Sequence, residues 1–219
     1  MRYEAVVFDL DGTLVHTTPE YRYKIVGQTL RDLGATSSNH NIDRFWFEAR
    51  RDVIIQEHFG LEPKQFWETY RKHDTTELRR QFTKLYDDVD FIKELRQNGY
   101  KTGIVTGAPI HIASLEIGML GEGDFDSIII AQISNGIKPK PHPHGLEACL
   151  EVLEVNTSRA IYVGNADEDV ATAKNAQVYD VLLVRGEHDF PEVKPSLRIH
   201  SLYELRQLLG LRGANSDCN

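Results

Sequence analysis

Short runs of apolar residues recur along the chain, and each gives way to a polar turn or to a helix-like pattern. The first run, Ala5 to Leu10, leads into Asp-Gly, as expected of a buried strand that stops at a turn. Four further runs have the same character: Thr102 to Thr106, Asp126 to Ala131, Ala160 to Gly164 and Val181 to Val184. Helical periodicity follows at Asp88 to Gln97, Ile110 to Leu120, Pro143 to Leu153, Asp167 to Ala176 and Leu202 to Leu209. This alternation predicts an α/β fold with a parallel sheet covered by helices on both faces.

One segment, residues 17–86, interrupts the alternation and carries apolar and aromatic side chains at helical spacing without a convincing strand. We therefore predict a helical domain, 17–86, inserted after the first strand of a core domain formed by 1–16 and 87–212. The polar segment 213–219 is predicted to be a disordered tail.

The composition favours an ordinary globular protein. Of 219 residues, 41% are hydrophobic and 26% charged, and the net charge of -8 argues against nonspecific binding to nucleic acid or to an anionic membrane. The two cysteines, Cys149 and Cys218, do not suggest a structural disulfide, and no signal peptide pattern precedes the first strand. We expect a cytoplasmic monomer or homodimer, with the oligomeric state left open.

The first segment with evident chemistry is Phe8-Asp9-Leu10-Asp11-Gly12-Thr13. Open parallel sheets bind ligands at the carboxyl ends of their strands, where Asp9 and Asp11 are expected to face one ligand. Crowded carboxylates repel each other unless a cation joins them, and Thr13 adds a hydroxyl donor. The alternative interpretation is an acidic turn after a strand, since Asp and Gly favour turns.

A second segment, Gly103 to Gly107, ends an apolar strand in Thr-Gly just before a helix. The hydroxyl of Thr106 and the backbone at Gly107 suit contact with a phosphate oxygen at a helix start. Taken alone, a strand-to-turn junction capped by Thr explains this segment equally well. When this segment is considered together with the first one, phosphate contact by Thr106 is the preferred interpretation.

Two more segments complete a recognisable set: Gly136-Ile137-Lys138-Pro139-Lys140-Pro141 and Gly164-Asn165-Ala166-Asp167-Glu168-Asp169. In order and spacing the four segments resemble the motifs of the haloacid dehalogenase-like (HAD) superfamily. The helical insertion resembles the cap of its phosphoglycolate phosphatase and β-phosphoglucomutase branch. The resemblance implies a Rossmann-like HAD core with a helical cap.

The resemblance also assigns roles to the charged side chains. It implies that Asp9 is the nucleophile that becomes an aspartyl phosphate and that Asp11 is the general acid and base. Lys138, which precedes Pro-x-Pro, is implied to neutralise charge on the phosphoryl group, and Lys140 is interpreted as a solvated loop lysine. Thr13, Thr106 and the backbone of Gly107 are the expected substrate contacts, although the family often has Asn at the last position.

A magnesium site is implied by the same motifs. The expected ligands are Asp9, the backbone carbonyl of Asp11, Asp169 and, directly or through water, Asn165. Asn165 stands where the family has an acidic residue, so we expect weaker metal affinity.

The implied activity is that of a magnesium-dependent phosphatase that hydrolyses a small phosphorylated metabolite through an aspartyl phosphate. A phosphomutase of the β-phosphoglucomutase type is one alternative. A catalytically weakened HAD protein with a binding or regulatory role is another, motivated by Asn165 and Gly107. Dehalogenase chemistry is disfavoured, because such enzymes lack the second acidic residue that Asp11 supplies. The sequence does not identify the substrate.

Overall fold

The computed structural model describes residues 2–211, and the chain divides into two compact units. One unit is Val15–Lys84, and the other combines the segment up to Leu14 with the segment that begins at Leu85. The predicted insertion, 17–86, is displaced from the observed unit by two residues at each end. The tail predicted at 213–219, including Cys218, lies outside the described residues.

The described residues contain two sheets. The strands are β1 (Ala5–Phe8), β2 (Val15–Thr17), β3 (Thr83–Leu85), β4 (Lys101–Thr106), β5 (Ser127–Ile130), β6 (Ala160–Gly164), β7 (Tyr179–Leu183) and β8 (Leu197–Ile199). Six of them form one sheet in the order β5-β4-β1-β6-β7-β8, and every pair in it is parallel. The α/β fold with a parallel sheet, predicted from the alternation of strands and helices, is confirmed.

Ten α-helices lie within the described residues. They are α1 (Pro19–Asp32), α2 (Asn39–Phe47), α3 (Arg51–Phe59), α4 (Pro63–His73), α5 (Thr76–Phe82), α6 (Phe91–Gln97), α7 (Ile110–Leu120), α8 (His144–Leu153), α9 (Asp167–Asn175) and α10 (Leu205–Leu209). Among these residues, no helix combines the length and the apolar composition that a membrane span requires.

The centre of the sheet is occupied by β1, whose four side chains are fully buried. Its neighbours are β4 and β6, with Phe8 opposite Ile104 on one side and Val163 on the other. The chain builds the sheet outward from β1 to β4 and β5, and then returns to place β6 on the opposite side of β1. Ligands of open parallel sheets bind where the strand order reverses in this way.

The unit Val15–Lys84 has its own core, which is dominated by aromatic side chains. Phe45 and Phe66 pack edge to face with their ring centroids 5.1 Å apart, and Phe59, Trp67 and Tyr70 surround them. Burial of these rings stabilises the packing of short helices that would not persist alone. The segment contains α1–α5, and also β2 and most of β3, which the sequence pattern did not predict.

Candidate active site

Three of the four sequence segments meet at the carboxyl ends of adjacent strands. Asp9 directly follows β1, Thr106 ends β4, and Asn165 directly follows β6. Since β4, β1 and β6 are parallel neighbours, these residues share one edge of the sheet. The backbone N–H of Asp9 donates to the carbonyl of Val163 over 2.9 Å, which extends the pairing of β1 with β6 to the aspartate itself.

Asp9 is buried and both of its carboxylate oxygens have partners. Thr13 Oγ1 donates to Oδ2 over 2.9 Å, and Lys140 Nζ donates to Oδ1 over 2.6 Å. Thr13 Oγ1 also lies 3.3 Å from Asn165 Oδ1, so one hydroxyl stands between the carboxylate and the amide. A hydroxyl has a single hydrogen, and the shorter distance assigns it to Asp9.

Gly12 allows this approach of the two loops. Its φ of +80° is in the left-handed region, and a Cβ added there would lie 2.2 Å from Asn165 Nδ2. Asp11, on the other side of Gly12, is half-buried in the same turn, and its charge contributes to raising the pKa of Asp9. The predicted juxtaposition of Asp9, Asp11 and Thr13 is therefore present in the structure.

Lys140 is the cation of the site. Its ammonium lies 2.6 Å from Asp9 Oδ1 and 2.6 Å from Asp169 Oδ1, and its side chain is only 5% exposed. Burial lowers the pKa of Lys140, but the negative charges of Asp169 and Asp9 more than offset it, so that the pKa lies well above the usual range. The lysine is therefore charged at neutral pH.

Lys138, to which the sequence motif assigned this position, does not occupy it. Its side chain is exposed, and its backbone N–H donates to His144 Nδ1 over 3.2 Å. The chain turns immediately afterwards, where the N–H of His142 donates to the carbonyl of Pro139 over 3.0 Å. Lys140 lies inside this turn, so the two lysines point in different directions despite being two residues apart.

Asp169 uses both oxygens in contacts with the protein. Oδ1 accepts from Lys140 and, over 3.1 Å, from the hydroxyl of Tyr162, while Oδ2 accepts from the N–H of Ala166 over 3.1 Å. The last bond caps the start of α9. Gly164 makes room for the carboxylate, because a Cβ added there would lie 2.3 Å from Asp169 Cγ. These contacts fix Asp169 as the counter-ion that holds Lys140.

Tyr162 is a site residue that the sequence interpretation missed. It lies within β6, is 1% exposed, and its hydroxyl is within hydrogen-bonding distance of Asp169 Oδ1 and, at 3.3 Å, of the carbonyl of Val105. Burial raises the pKa of this phenol well above its usual value, so it remains a donor. The sequence feature that could have indicated a role for Tyr162 is its hydroxyl group, which is unusual in an otherwise apolar strand.

The charged form of Asp9 is destabilised by its surroundings. Burial and the charge of Asp169 raise the pKa of Asp9 to about 7, although Lys140 acts in the opposite direction. One ammonium thus does not fully offset the cost of burying the Asp9 carboxylate next to a second one.

The Thr106 loop presents a different set of polar groups. Thr106 is buried, and its Oγ1 accepts from the N–H of Ala108 over 3.0 Å, which leaves the hydroxyl hydrogen for another acceptor. Gly107 is exposed, and its carbonyl accepts from Gln132 Nε2 over 3.0 Å. Gln132, which the sequence interpretation also missed, thereby ties the loop after β4 to the loop after β5.

The donor set is compatible with a hard divalent cation. No cluster of three or more His, Cys, Asp or Glu side chains arranged for metal binding occurs in 2–211. Magnesium, however, keeps several waters and takes only one or two protein carboxylates. Asp9 Oδ2 and Asn165 Oδ1 both lie within hydrogen-bonding distance of Thr13 Oγ1, so these two oxygens are neighbours in the site.

Comparison with known proteins supports the assignment made from the motifs. Residues 3–177 match the family model of the haloacid dehalogenase-like hydrolases. The pyrophosphatase PpaX of Halalkalibacterium halodurans is 26% identical, over 97% of this chain and 99% of its own length. A phosphoglycolate phosphatase of Colwellia psychrerythraea is 27% identical, over 84% of this chain and 85% of its own.

Solved structures show the same fold. A Lactobacillus plantarum protein superposes with a TM-score of 0.79 at 23% identity, covering 95% of this chain and all of that one (100%). A HAD phosphatase from Thermococcus onnurineus is 27% identical, with a TM-score of 0.62 and coverage of 94% and 98%. The resemblance inferred from the four motifs is confirmed, and the chain belongs to the haloacid dehalogenase-like hydrolase family.

Proposed function

We propose that this hydrolase is a magnesium-dependent phosphatase that moves a phosphoryl group from a small phosphorylated metabolite to Asp9 and then to water. The observation that carries the proposal is the buried constellation of Asp9, Lys140 and Asp169 at the carboxyl edge of the sheet, with each oxygen–nitrogen distance at 2.6 Å. A nucleophilic carboxylate beside a fixed ammonium is suited to attack on an anionic phosphate.

In the first step an Asp9 oxygen forms a bond to phosphorus, and the bond between phosphorus and the ester oxygen breaks. Asp11 gives its proton to the departing oxygen, so that an alcohol leaves. Lys140 offsets the charge on the attacking carboxylate and on the phosphoryl oxygens. Asp169 and Tyr162 keep the ammonium in place through the contacts described above.

In the second step the aspartyl phosphate is hydrolysed. Asp11, now deprotonated, takes a proton from water, the water oxygen bonds to phosphorus, and the Asp9 carboxylate is released. Thr106 donates its free hydroxyl hydrogen to a phosphoryl oxygen, and the exposed backbone at Gly107 contributes to the same subsite. This sequence of steps regenerates Asp9 and Asp11 in their starting states.

The metal ligands proposed are Asp9, the backbone carbonyl of Asp11, Asn165 and Asp169. Asp169 is the weakest candidate, because its carboxylate already accepts hydrogen bonds from Lys140, Tyr162 and Ala166, whereas that of Asp9 accepts from Thr13 and Lys140. When bound, magnesium supplies positive charge that lowers the repulsion between carboxylate and phosphate. The amide of Asn165 would ligate through its oxygen without adding negative charge, so the proposed affinity is lower than that of a three-carboxylate site.

The names of two relatives support the proposed substrate class. Among them are a pyrophosphatase and a phosphoglycolate phosphatase, so small monoesters and phosphoanhydrides are the compounds to test. Phosphoglycolate, pyrophosphate, hexose phosphates and a chromogenic aryl phosphate, each with magnesium or with chelator, form a suitable panel.

The decisive test compares wild type with Asp9→Asn and with Asp87→Asn, a matched control at an exposed position. We expect magnesium-dependent phosphate release that Asp9→Asn abolishes and Asp87→Asn retains. With a substrate labelled in the transferred phosphate, acid quenching should leave label on wild type and on Asp87→Asn, but not on Asp9→Asn. Phosphate release that is unchanged in Asp9→Asn would contradict the mechanism.

A second candidate function rests on Asn165, where a neutral side chain replaces an acidic one. Under this alternative the site binds a phosphorylated ligand without turning it over. Calorimetric binding of the panel compounds with no phosphate release would favour it. Transfer of phosphate to a second hydroxyl of a hexose phosphate would instead identify a mutase.

A further inference from the structure

Arg185 lies outside the four motifs, two residues beyond the end of β7, yet it contacts the loop that carries the nucleophile. Its Nη2 donates to the backbone carbonyl of Thr13 over 2.6 Å. The same guanidinium donates to both oxygens of Asp88, over 2.8 Å from Nη1 and 2.9 Å from Nη2. The side chain is 9% exposed, so these bonds are made away from bulk water.

Asp88 is itself fixed. Its Oδ2 accepts from the N–H of Leu202 over 2.8 Å and from Ser201 Oγ over 3.0 Å. Burial raises the pKa of Asp88, but the hydrogen bonds from Arg185 and Leu202 more than offset it, so that the pKa lies below its usual value. On its flat side the guanidinium lies over the ring of Tyr86, with Cζ 3.9 Å from the centroid. The guanidinium of Arg185 is thus restrained by hydrogen bonds within its plane and by the Tyr86 ring perpendicular to that plane.

Thr13 connects this network to the nucleophile. Arg185 holds its carbonyl, while its hydroxyl donates to Asp9 Oδ2 over 2.9 Å and lies 3.3 Å from Asn165 Oδ1. Thr13 is fully buried. Because a β-branched side chain has restricted rotation about χ1, the position of its hydroxyl follows the position of its backbone.

We propose that Arg185 is a positioning residue: by holding the Thr13 carbonyl, it sets the hydroxyl that orients Asp9 for attack. The inference rests on the phosphatase function proposed above and extends it to a residue outside the four motifs. Arginine suits the task, because a planar guanidinium donates to a carboxylate and a carbonyl at once, whereas an ammonium is a single point donor. A buried ion pair adds little net stability compared with apolar packing, which points to geometry as its main contribution.

The test compares kcat and KM of wild type with those of Arg185→Met and Arg185→Lys. Misplacement of a reacting group reduces turnover more than binding, so kcat of the Met variant should fall about tenfold to a hundredfold, with KM changed by less than about threefold. The Lys variant keeps the positive charge but loses the planar guanidinium, so its kcat should fall less, by about three- to tenfold.

Arg206→Met is the matched control. Arg206 also forms a two-point ion pair, with Glu94 at 2.6 Å and 2.9 Å, and also lies over a tyrosine ring, that of Tyr203, at 4.4 Å. It belongs to α10, and no contact of it with the Asp9 loop is found in the described part of the chain. Its kcat should stay within about twofold of wild type, since the loss of an arginine ion pair away from the Asp9 loop does not displace Thr13.

A double-mutant cycle with Thr13→Val separates positioning from a general loss of stability. If Arg185 acts through the Thr13 hydroxyl, Arg185→Met should reduce kcat by less than about twofold in the Thr13→Val background. The inference would be overturned if the two substitutions reduced kcat by independent factors that multiply in the double variant. A folded Arg185→Met protein with wild-type kcat would also overturn it. If Arg185→Met does not fold, the same double-mutant cycle is carried out with Arg185→Lys, and the same comparison of kcat values tests the inference. A wild-type protein without phosphate release overturns the proposed function as well, whereas an active wild type with unaffected Arg185 variants overturns only this inference.

Discussion

The substitution Lys140→Met addresses the centre of the site most directly. It removes the ammonium and keeps a flexible chain of similar length, so the change is mainly one of charge. The carboxylates of Asp9 and Asp169, whose side chains are 6% and 2% exposed, then face each other without a cation. Both Oδ1 atoms lay 2.6 Å from the same nitrogen, so they are separated by no more than about twice that distance.

The magnitude follows from this geometry. Two unit charges about 5 Å apart in a medium of effective dielectric constant about 20 repel by about 3 kcal/mol. Removing one partner of a buried ion pair costs a comparable amount, about 3–5 kcal/mol. In metal-free protein at neutral pH, we therefore expect Lys140→Met to lower the free energy of unfolding by about 3 kcal/mol.

The loss should depend on pH with a definite sign. The pKa of Asp9 is already raised to about 7, and it rises further when the lysine that lowers it is removed. A carboxyl group with a raised pKa in the folded state favours folding at low pH and opposes it as pH increases through that pKa. The difference in stability between wild type and variant should thus be largest above pH 7 and should shrink on acidification.

Urea denaturation followed by circular dichroism, in chelator at about pH 8 and about pH 5.5, measures this difference. Lys138→Met is the matched control: it removes an equal charge from an exposed position of the same loop and should change stability by less than about 0.5 kcal/mol. With magnesium and substrate, kcat of Lys140→Met should fall about a hundredfold or more, while Lys138→Met should stay within about twofold. If Lys138→Met lost stability and activity while Lys140→Met remained stable and active, the assignment of Lys140 as the cation of the site would be refuted.

Four further predictions concern single positions. Gly164→Ala should displace the carboxylate of Asp169, because a Cβ there would lie 2.3 Å from its Cγ, and kinetics should show a loss of about tenfold or more in kcat. Asn165→Asp adds a ligating charge, so calorimetry should give a magnesium Kd lower by about tenfold. Asp88→Asn removes a carboxylate of lowered pKa, whose stabilising contribution is present above its unfolded pKa of about 3.9 and lost as pH falls below it. The stability gap between wild type and Asp88→Asn, measured by urea denaturation, should therefore narrow below about pH 4. Burial raises the pKa of the Cys149 thiol to about 11, so iodoacetamide should label it in native protein far more slowly than in urea.

These four predictions have distinct controls and contradicting outcomes. Gly118→Ala, at an exposed position of α7 where an added Cβ meets nothing within 4 Å, controls for the loss of glycine, and equal effects would argue against the steric explanation. A magnesium Kd unchanged in Asn165→Asp would place the metal away from that side chain. A stability gap for Asp88→Asn that is constant down to pH 3 would contradict the lowered pKa. Labelling of Cys149 should be followed in a Cys218→Ser background, and fast labelling of native protein would contradict its burial.

The sequence alone predicted the parallel sheet and five of its six strands. Fully apolar runs such as Ala5–Phe8 that alternate with helices are typical of strands buried on both faces of a parallel sheet, and strand ends that carry Asp or Thr then meet at one edge. The positions of Asp9, Thr13 and Thr106 follow from that rule together with local periodicity. The short edge strand Leu197–Ile199 was missed, because three residues with a central arginine give no periodic signal.

The identity of the cationic residue was not available from the sequence. Lys138 and Lys140 are both lysines in one proline-rich loop, and the choice between them depends on a turn whose direction is set by packing against distant residues. The Lys140 to Asp9 contact spans 131 positions of sequence, and the Arg185 to Thr13 contact spans 172. Local propensities reach only a few residues along the chain, so they carry no information about such contacts.

Sequence therefore determined which carboxylates and hydroxyls stand at the ends of the central strands, because side-chain alternation and turn formation act over a few neighbouring residues. Tertiary structure alone decided which lysine neutralises them, that Tyr162 holds Asp169, and that Arg185 holds Thr13. Those contacts arise where separate loops converge after folding, and their geometry is fixed by the packing of the whole sheet unit.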